Sequence, residues 1–120
     1  MNQPVGATSS QAVLSMSEFQ VHAEEAAGFL KALANEHRLL VLCHLLTYGE
    51  MPVNALVTEV GLSQSALSQH LARLREDGLV TYRRESQTLY YRVSDERAAR
   101  LLVVLKDIFC PDLGAGQEKT

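Results

Sequence analysis

An uncharged run of hydrogen-bonding side chains extends from Ser63 to His70. If this run is helical, Leu67 and Leu71 fall on one side and the polar residues on the other. Gln can form paired hydrogen bonds with adenine, Arg can form them with guanine, and Ser can bond to bases or phosphates. We therefore predict DNA contacts from Gln64, Ser65, Ser68, Gln69, His70 and Arg73.

Positive charge is concentrated in the same part of the chain. The 120 residues carry a formal net charge of −3, but residues 63–92 hold five arginines against three acidic residues. Acidic groups on a remote face barely weaken a local cationic surface, because the Debye length is about 8 Å at physiological salt. Residues 63–92 are therefore the segment suited to a polyanion, although five arginines could also form an ordinary solvated face.

Two cysteines and four histidines are the other residues that could do chemistry. Cys43 and Cys110 are too few for a disulfide framework, and in a reducing compartment they would pair only as a switch. Alternatively, Cys43 lies among leucines and could simply fill space in the core. The histidines are scattered along the chain: His22, His37, His44 and His70. Each is more typical of a cap, surface or DNA-facing residue than of a ligand, so we predict no metal and no cofactor.

Five predicted helices position these residues. Apolar residues at helical spacing place the helices at residues 18–34, 36–48, 52–60, 64–77 and 95–109. We predict that four of them are capped by Ser17, Asn35, Ser63 and Ser94. Pro52 is predicted to be the first residue of the third helix. The second helix has a broad apolar face and is expected at the centre of the fold.

After Gly78 the apolar spacing changes from 3.6 to 2, which predicts a β-hairpin. Its strands cover residues 79–84 and 88–93, and residues 85–87 link them. With the preceding short helix, glycine-containing turn and second helix, the hairpin completes a winged helix-turn-helix, a mainly α fold. We predict contacts with phosphates or the minor groove from Arg83, Arg84 and Gln87. We predict packing within the sheet for Tyr82, Tyr90 and Tyr91.

The length and composition fit one domain. The chain has 120 residues, of which 47% are hydrophobic. We expect residues 1–15 to be a disordered tail, residues 16–110 to be the DNA-binding and dimerisation domain, and residues 111–120 to be a flexible C-terminal tail. The apolar stretches are far shorter than the roughly 20 residues that span a bilayer, and the N-terminus lacks a secretion signal. We therefore expect a cytoplasmic protein.

The last predicted helix is too apolar for a single packed face. From Ala98 to Phe109, nine of twelve residues are apolar. A second copy of the chain is the simplest partner for this excess, so we predict a homodimer.

Four segments of the chain resemble the arsenic-repressor (ArsR) family of bacterial winged-helix dimers. They are Leu30–Leu39 (LKALANEHRL), Gly61–Leu71 (GLSQSALSQHL), Leu74–Val80 (LREDGLV) and Tyr90–Val93 (YYRV). The resemblance covers about residues 30–109. It implies a homodimer, joined through its first and last helices, that represses transcription until an inducer binds or modifies it.

The cysteines resemble those of one branch of that family. Met51–Val60 contains no Cys and Asp95–Phe109 contains no His, so the segments that hold metal ligands in metal-sensing members lack them here. Cys43 in the second helix and Cys110 after the last helix instead resemble the branch that senses persulfides and related reactive sulfur, which includes the biofilm growth-associated repressors. The resemblance implies that reactive sulfur, or another thiol oxidant, bridges the two cysteines and releases DNA.

Two other functions fit the same residues. The chain could sense a metal or small ligand at a site that the sequence does not reveal, or it could be a winged-helix protein-interaction module without DNA binding. Absent or salt-insensitive DNA binding would favour the interaction module, because phosphate contacts produce a steep salt dependence. An enzyme is disfavoured, because the sequence has no glycine-rich phosphate loop and no nucleophile motif.

Overall fold

The computed structural model describes residues 16–110, which form five helices and three strands. They are α1 (Met16–Leu33), α2 (Glu36–Tyr48), β1 (Met51–Pro52), α3 (Val53–Val60), α4 (Gln64–Glu76), β2 (Val80–Glu85), β3 (Thr88–Val93) and α5 (Glu96–Phe109). The predicted tails, residues 1–15 and 111–120, lie outside the described residues. The chain divides into two compact units, with α1 in the first and the elements from α2 onward in the second.

Helix α1 begins at Met16, so Ser17 lies inside its first turn and not at the capping position predicted from the sequence. A serine fits there, because the N–H groups of the first turn have no partner within the helix. Large apolar side chains of α1 are exposed at Met16, Phe19, Val21 and Leu30. The helix therefore presents apolar surface to solvent.

Helix α2 has the predicted bounds, because both of its ends are determined locally. The Asn35 side chain accepts hydrogen bonds from the backbone N–H groups of His37 and Arg38, each at 3.0 Å. At the other end Gly49 adopts a φ of +90°, and its N–H donates to the Leu45 carbonyl at 2.7 Å. The helix buries one apolar side within the second unit, as its sequence predicts.

The predicted hairpin strands are joined by a third strand that sequence analysis missed. The antiparallel sheet has the order β1-β3-β2, with Met51 opposite Tyr91 and Pro52 opposite Tyr90. Pro52, predicted to be the first helical residue, instead ends an edge strand. Proline is tolerated there because an edge strand leaves some N–H groups unpaired. Helix α3 accordingly begins at Val53.

The hairpin turn is tighter than predicted. Glu85 pairs with Thr88 at the end of the ladder, so Ser86 and Gln87 alone form the turn. Ser86 adopts a φ of +58°, in the left-handed region that two-residue hairpin turns commonly use. Gln87 therefore lies at the tip of the hairpin.

Helix α5 is capped by Asp95 and not by Ser94, the residue predicted from the sequence. The Asp95 carboxylate accepts hydrogen bonds from the backbone N–H groups of Arg97, at 2.7 Å, and Ala98, at 3.1 Å. A carboxylate suits this position because its charge also interacts favourably with the helix dipole. Ser94 instead donates its hydroxyl to the Gly78 carbonyl at 3.2 Å, which links the end of β3 to the turn after α4.

The core of the second unit is rich in leucine. Helices α2 to α5 contribute the buried side chains of Leu42, Leu56, Leu67, Leu74 and Leu102. Among the described residues, no polar or charged residue is buried. None of the helices in residues 16–110 is long and apolar enough to cross a membrane.

Candidate nucleic-acid interface and thiol pair

Helices α3 and α4, with the turn at residues 61–63, form a helix-turn-helix. Gly61 follows α3 in a left-handed conformation, at a φ of +80°, which glycine adopts without strain. The Ser63 hydroxyl caps α4 as predicted, because it accepts a hydrogen bond from the Ala66 N–H at 3.1 Å. These two local features determine where α3 ends and α4 begins.

Helix α4 presents the predicted polar residues to solvent. Leu67, Leu71 and Leu74 are buried, so the opposite side of the helix faces outward. The exposed polar residues of α4 on the predicted interface are Gln64, Ser65, Ser68, Gln69 and Arg73. Arg73 also donates to the Asp77 carboxylate at 3.1 Å. His70 differs from the others because it is half-buried.

A cleft of about 640 Å³ lies between α4 and the hairpin. Three of the predicted DNA-contacting residues line it: Gln64 and Ser68 from α4, and Gln87 from the hairpin tip. Arg75 lines the same cleft, and its guanidinium lies 5.3 Å from the centroid of the Tyr82 ring. Arg75 was not predicted as an interface residue, although its position seven residues after Ser68 puts both on one side of a helix. The fold thus brings the helix and the hairpin tip to one surface.

Arg83 is tethered on the hairpin by two carboxylates and a ring. Its Nε donates to both carboxylate oxygens of Glu50, at 3.0 Å each, and its Nη1 donates to Glu85 at 2.9 Å. The guanidinium also lies 4.6 Å from the centroid of the Tyr90 ring. Hydrogen bonds to Glu85 and Glu50 raise the pKa of Arg83. Glu50 could not be found from local patterns, because 33 positions separate it from Arg83.

Arg84 is in a different electrostatic state. Its side chain is exposed and forms no ion pair with any residue in the range 16–110. Successive side chains of a strand point to opposite faces, so Arg84 and Arg83 leave the hairpin on different sides. The charge of Arg83 is balanced by carboxylates, whereas the charge of Arg84 remains available to an anion.

Tyr91 packs within the sheet, as predicted. That side chain is buried, and its ring lies 5.3 Å from the Tyr82 ring. Burial raises the pKa of the Tyr91 hydroxyl, whereas the charge of Arg75 lowers it. These rings therefore support the sheet beneath the cleft.

Cys43 and Cys110 are both free thiols. Cys43 is half-buried on α2, and Cys110 is exposed directly after α5, where its N–H donates to the Lys106 carbonyl at 2.7 Å. Burial raises the pKa of the Cys43 thiol, the positive charge of Lys106 lowers it, and Cys110 raises it further. The Cys43 thiol thus lies within electrostatic range of Lys106 and Cys110, although the two cysteines are far apart in the sequence.

The histidines occupy three separate places in the structure. His22 is exposed on α1, and His44 stacks on Tyr48 with 6.2 Å between the ring centroids. His37 and His70 lie together, with 5.8 Å between their ring centroids. Residues 16–110 contain no group of three or more His, Cys, Asp or Glu side chains that could hold a metal ion. The His37–His70 pair links the first turn of α2 to α4, which the sequence did not predict.

Helix α5 exposes a second apolar side. Leu102 faces the core, whereas Val104 and Ile108 are exposed one turn apart on another side of the helix. Val103 and Phe109 are also exposed, at other positions around the helix. Removal of such side chains from water is favourable. The helix therefore has apolar surface that no described residue covers, in keeping with the excess of apolar residues in its sequence.

The chain matches a known protein family. The family model for a bacterial regulatory protein of the arsR family matches residues 35–82, which include α2, α3 and α4. The nodulation protein NolR of Rhizobium meliloti is 53% identical over 97 residues, which cover 81% of this chain and 79% of that protein. The similarity therefore extends over most of both sequences.

Solved structures with similar sequences share the fold. The transcriptional repressor BigR from Xylella fastidiosa aligns with a TM-score of 0.75 at 37% identity, over 81% of this chain and 98% of that chain. Reduced HlyU from Vibrio cholerae N16961 aligns with a TM-score of 0.74 at 44% identity, over 79% of this chain and 99% of that chain. Sequence and structural similarity thus point to the same group of regulators.

Proposed function

Because this chain belongs to the arsR family of bacterial regulatory proteins and is a DNA-binding transcriptional repressor, not an enzyme, we propose that a sulfur bridge between Cys43 and Cys110 releases it from operator DNA. The observation that supports this proposal is electrostatic: both Lys106 and Cys110 act on the pKa of the half-buried Cys43 thiol, although Cys110 is distant in the sequence.

In the proposed complex, α4 lies in the major groove with its exposed polar side toward the bases. Gln69 forms hydrogen bonds with a base edge, and Ser65 and Ser68 bond to bases or phosphates. Arg84 and Gln87 of the hairpin contact the adjacent backbone or minor groove. The exposure of these five residues and the shared cleft between α4 and the hairpin support this arrangement.

In the proposed homodimer, a second copy of the chain packs against the exposed apolar side of α5. Val104 and Ile108 lie one turn apart on that side, and burial of a large aliphatic side chain contributes about 1.5–3 kcal/mol. Helix α1 separately exposes apolar residues of its own. In a twofold pair, the two α4 helices would reach half-sites about 34 Å apart.

The proposed bridging reaction uses a persulfide, RSSH, as the oxidant. The thiolate of Cys110, the more exposed cysteine, attacks the outer sulfur of RSSH, so that a Cys110 persulfide forms and RSH leaves. The thiolate of Cys43 then attacks the inner sulfur, forms the disulfide and releases the outer sulfur as hydrogen sulfide. The two cysteine thiols lose two electrons, the released sulfur gains them, and the thiol protons leave with RSH and hydrogen sulfide.

A second persulfide molecule gives a longer bridge by the same chemistry. If Cys43 and Cys110 both become persulfides, loss of one hydrogen sulfide molecule leaves three sulfur atoms in the link. A disulfide requires Cα atoms within about 7 Å, whereas an additional sulfur relaxes this limit. The number of sulfur atoms retained by the protein therefore reports which bridge has formed.

The bridge would act on DNA binding through the packing of α2. Helix α2 packs against α4, and α5 is the proposed dimer contact. A covalent link between α2 and the end of α5 would change the spacing of the two α4 helices in the dimer. Because this spacing must match the half-sites, a small displacement suffices to release DNA.

Mass spectrometry and DNA binding on the same samples test the proposal. The reduced chain is treated with persulfide, disulfide or peroxide and is assayed on the DNA upstream of its own gene. We expect persulfide to bridge Cys43 and Cys110 and to abolish binding. Cys43→Ser and Cys110→Ser should bind DNA as the unmodified chain does and fail to respond. Normal release of both variants by persulfide would overturn the thiol mechanism.

A further inference from the structure

We propose that His37, Arg38 and His70 form a binding site for a DNA backbone phosphate, on the side of α4 away from the hairpin, that binds more tightly when an imidazole is protonated. This inference rests on the proposed placement of α4 in the major groove. It assigns a function to the half-buried edge of α4, outside the cleft.

The two imidazoles meet where α2 packs against α4. Their ring centroids are 5.8 Å apart and their planes are inclined by 37°. At this distance a charge on one ring affects the other. His37, Arg38 and His70 are each partly exposed, so an external anion can reach them.

The cap of α2 holds two members of this site in place. The Asn35 side chain accepts hydrogen bonds from the backbone N–H groups of both His37 and Arg38. This double hydrogen bond fixes the turn from which the two side chains leave the backbone. The site is therefore built on an ordered helix end and not on a loose loop.

The direction of His70 places the site opposite the hairpin. His70 follows Ser68 by two positions and so lies about 200° around α4 from it. Ser68 lines the cleft beside the hairpin. A helix in the major groove has a sugar-phosphate backbone along each side. Arg84 of the hairpin would then contact one backbone, and the His37–Arg38–His70 site would contact the other.

The surroundings of His70 disfavour its protonation in the free chain. Burial lowers the pKa of His70 most, followed by the positive charge of Arg38 and the influence of His37. The charged residues of α3 and β2, which also pack on α4, do not contribute to this shift: Glu59, Arg83, Arg84 and Glu85. On α4 itself, Arg73 is paired with Asp77. The site thus places one positive group, Arg38, beside two imidazoles on a partly exposed surface, with the exposed Glu36 next to His37 in the sequence.

A bound phosphate would reverse this preference. Its negative charge favours the protonated imidazole, so the pKa of His70 would rise on DNA binding. The complex then holds more protons than the free chain, and affinity rises as the pH falls. As the pH falls, the increase in DNA affinity begins near the raised pKa of His70 in the complex. It ends below the lowered pKa of His70 in the free chain. Each imidazole that gains a full proton contributes about tenfold in affinity per pH unit.

Binding to a random-sequence duplex tests the site, because phosphate contacts do not require the operator. The reduced chain is titrated with a duplex of about 30 base pairs, long enough for two half-sites, at low salt and between about pH 6 and pH 8. The variants are His70→Gln and His37→Gln. His44→Gln is the matched control, because it makes the same change in α2 outside the pair.

We expect the unmodified chain and His44→Gln to bind more tightly as the pH falls. His70→Gln should lose most of this dependence, and His37→Gln should lose less of it. Circular dichroism identifies any variant that fails to fold. Calorimetry of the unmodified chain in buffers of different ionisation enthalpy measures proton uptake independently of the variants. An unchanged pH dependence in folded variants, or no proton uptake, would overturn the site. Absence of binding to any duplex would instead overturn the proposed placement of α4 in the major groove, on which this inference rests.

Discussion

Arg83 and Glu50 form an ion pair in which the Nε of Arg83 donates to both carboxylate oxygens of Glu50, at 3.0 Å each. The pair connects strand β2 to the residue that precedes β1. Because both side chains are partly exposed, the pair contributes little to stability by itself. Its consequence is electrostatic, since Arg83 has carboxylate partners and the adjacent Arg84 has none among the described residues.

Replacement of each hairpin arginine should therefore change DNA binding differently. We expect Arg84→Ala to reduce the slope of log affinity against log salt by about 0.9 for each phosphate that this arginine neutralises. Arg83→Ala is the matched control and should leave the slope nearly unchanged, because Glu50 and Glu85 already balance its charge. Titrations at several salt concentrations measure both slopes. An equal decrease in the two variants would mean that Arg83 leaves Glu50 to bind DNA.

Gln69→Ala should reduce sequence preference more than overall DNA affinity. A bidentate contact between Gln and adenine discriminates by about 1–3 kcal/mol, so binding to the operator should weaken by that amount. Binding to a random duplex should change little, because phosphate contacts are retained. Gln20→Ala makes the same change at an exposed position of α1 and serves as the control. Equal weakening on both duplexes would assign Gln69 to a phosphate.

The elements whose ends are set by nearby residues could be predicted from the sequence. The bounds of α2 followed from Asn35 and Gly49, and the start of α4 followed from Ser63. The polar side of α4 could be predicted because leucines at helical spacing require burial on the other side. Local chemistry therefore accounted for the helix-turn-helix and its exposed residues.

Features that depend on residues distant in sequence could not be predicted in the same way. Strand β1 has only two residues, and its existence depends on pairing with β3. The Glu50–Arg83 pair and the contact between His37 and His70 arise only when separate elements pack together. Such contacts have no local signal, because neither partner determines the position of the other in an extended chain.

Lys106→Gln should slow formation of the sulfur bridge near neutral pH. Lys106 lowers the pKa of the Cys43 thiol, so its loss reduces the thiolate available to attack a Cys110 persulfide. The rate difference should vanish at a pH above the thiol pKa in both proteins. Arg100→Gln removes another positive charge of α5 and is the control. Mass spectrometry of samples quenched at successive times gives the rates. Equal rates for Lys106→Gln and the unmodified chain would contradict a role for this charge.

The proposed dimer contact predicts a change in oligomeric state. Introducing Glu at both Val104 and Ile108 should convert a dimer to a monomer, because two charges would have to be buried in an apolar interface. Val103→Glu is the control and should remain a dimer, because it adds a charge at an exposed position about 100° around α5 from Val104. Analytical ultracentrifugation at several concentrations measures the result. A stable dimer of the double variant would place the contact elsewhere.

Asp95→Ala should destabilise the chain by about 1 kcal/mol at neutral pH, the usual effect of losing a helix N-cap. The hydrogen bond from Arg97, with the backbone N–H groups of Ala98 and Arg97, lowers the pKa of Asp95 below its ordinary 3.8. Its stabilising contribution is therefore fully present above that ordinary value and is lost as the pH falls through the lowered one. Ser94→Ala should lower the free energy of unfolding by less, because it removes one hydrogen bond to the Gly78 carbonyl and no helix cap.

Chemical denaturation of the reduced proteins at one concentration, at about pH 7 and about pH 3, measures these free energies of unfolding. The difference between Asp95→Ala and the unmodified chain should shrink in acid, because Asp95 takes up a proton in the unfolded state, where its pKa is ordinary, before it does so in the folded state. The difference for Ser94→Ala should stay constant, since its hydroxyl does not titrate. A difference for Asp95→Ala that is the same at both pH values would show that its carboxylate charge does not stabilise α5.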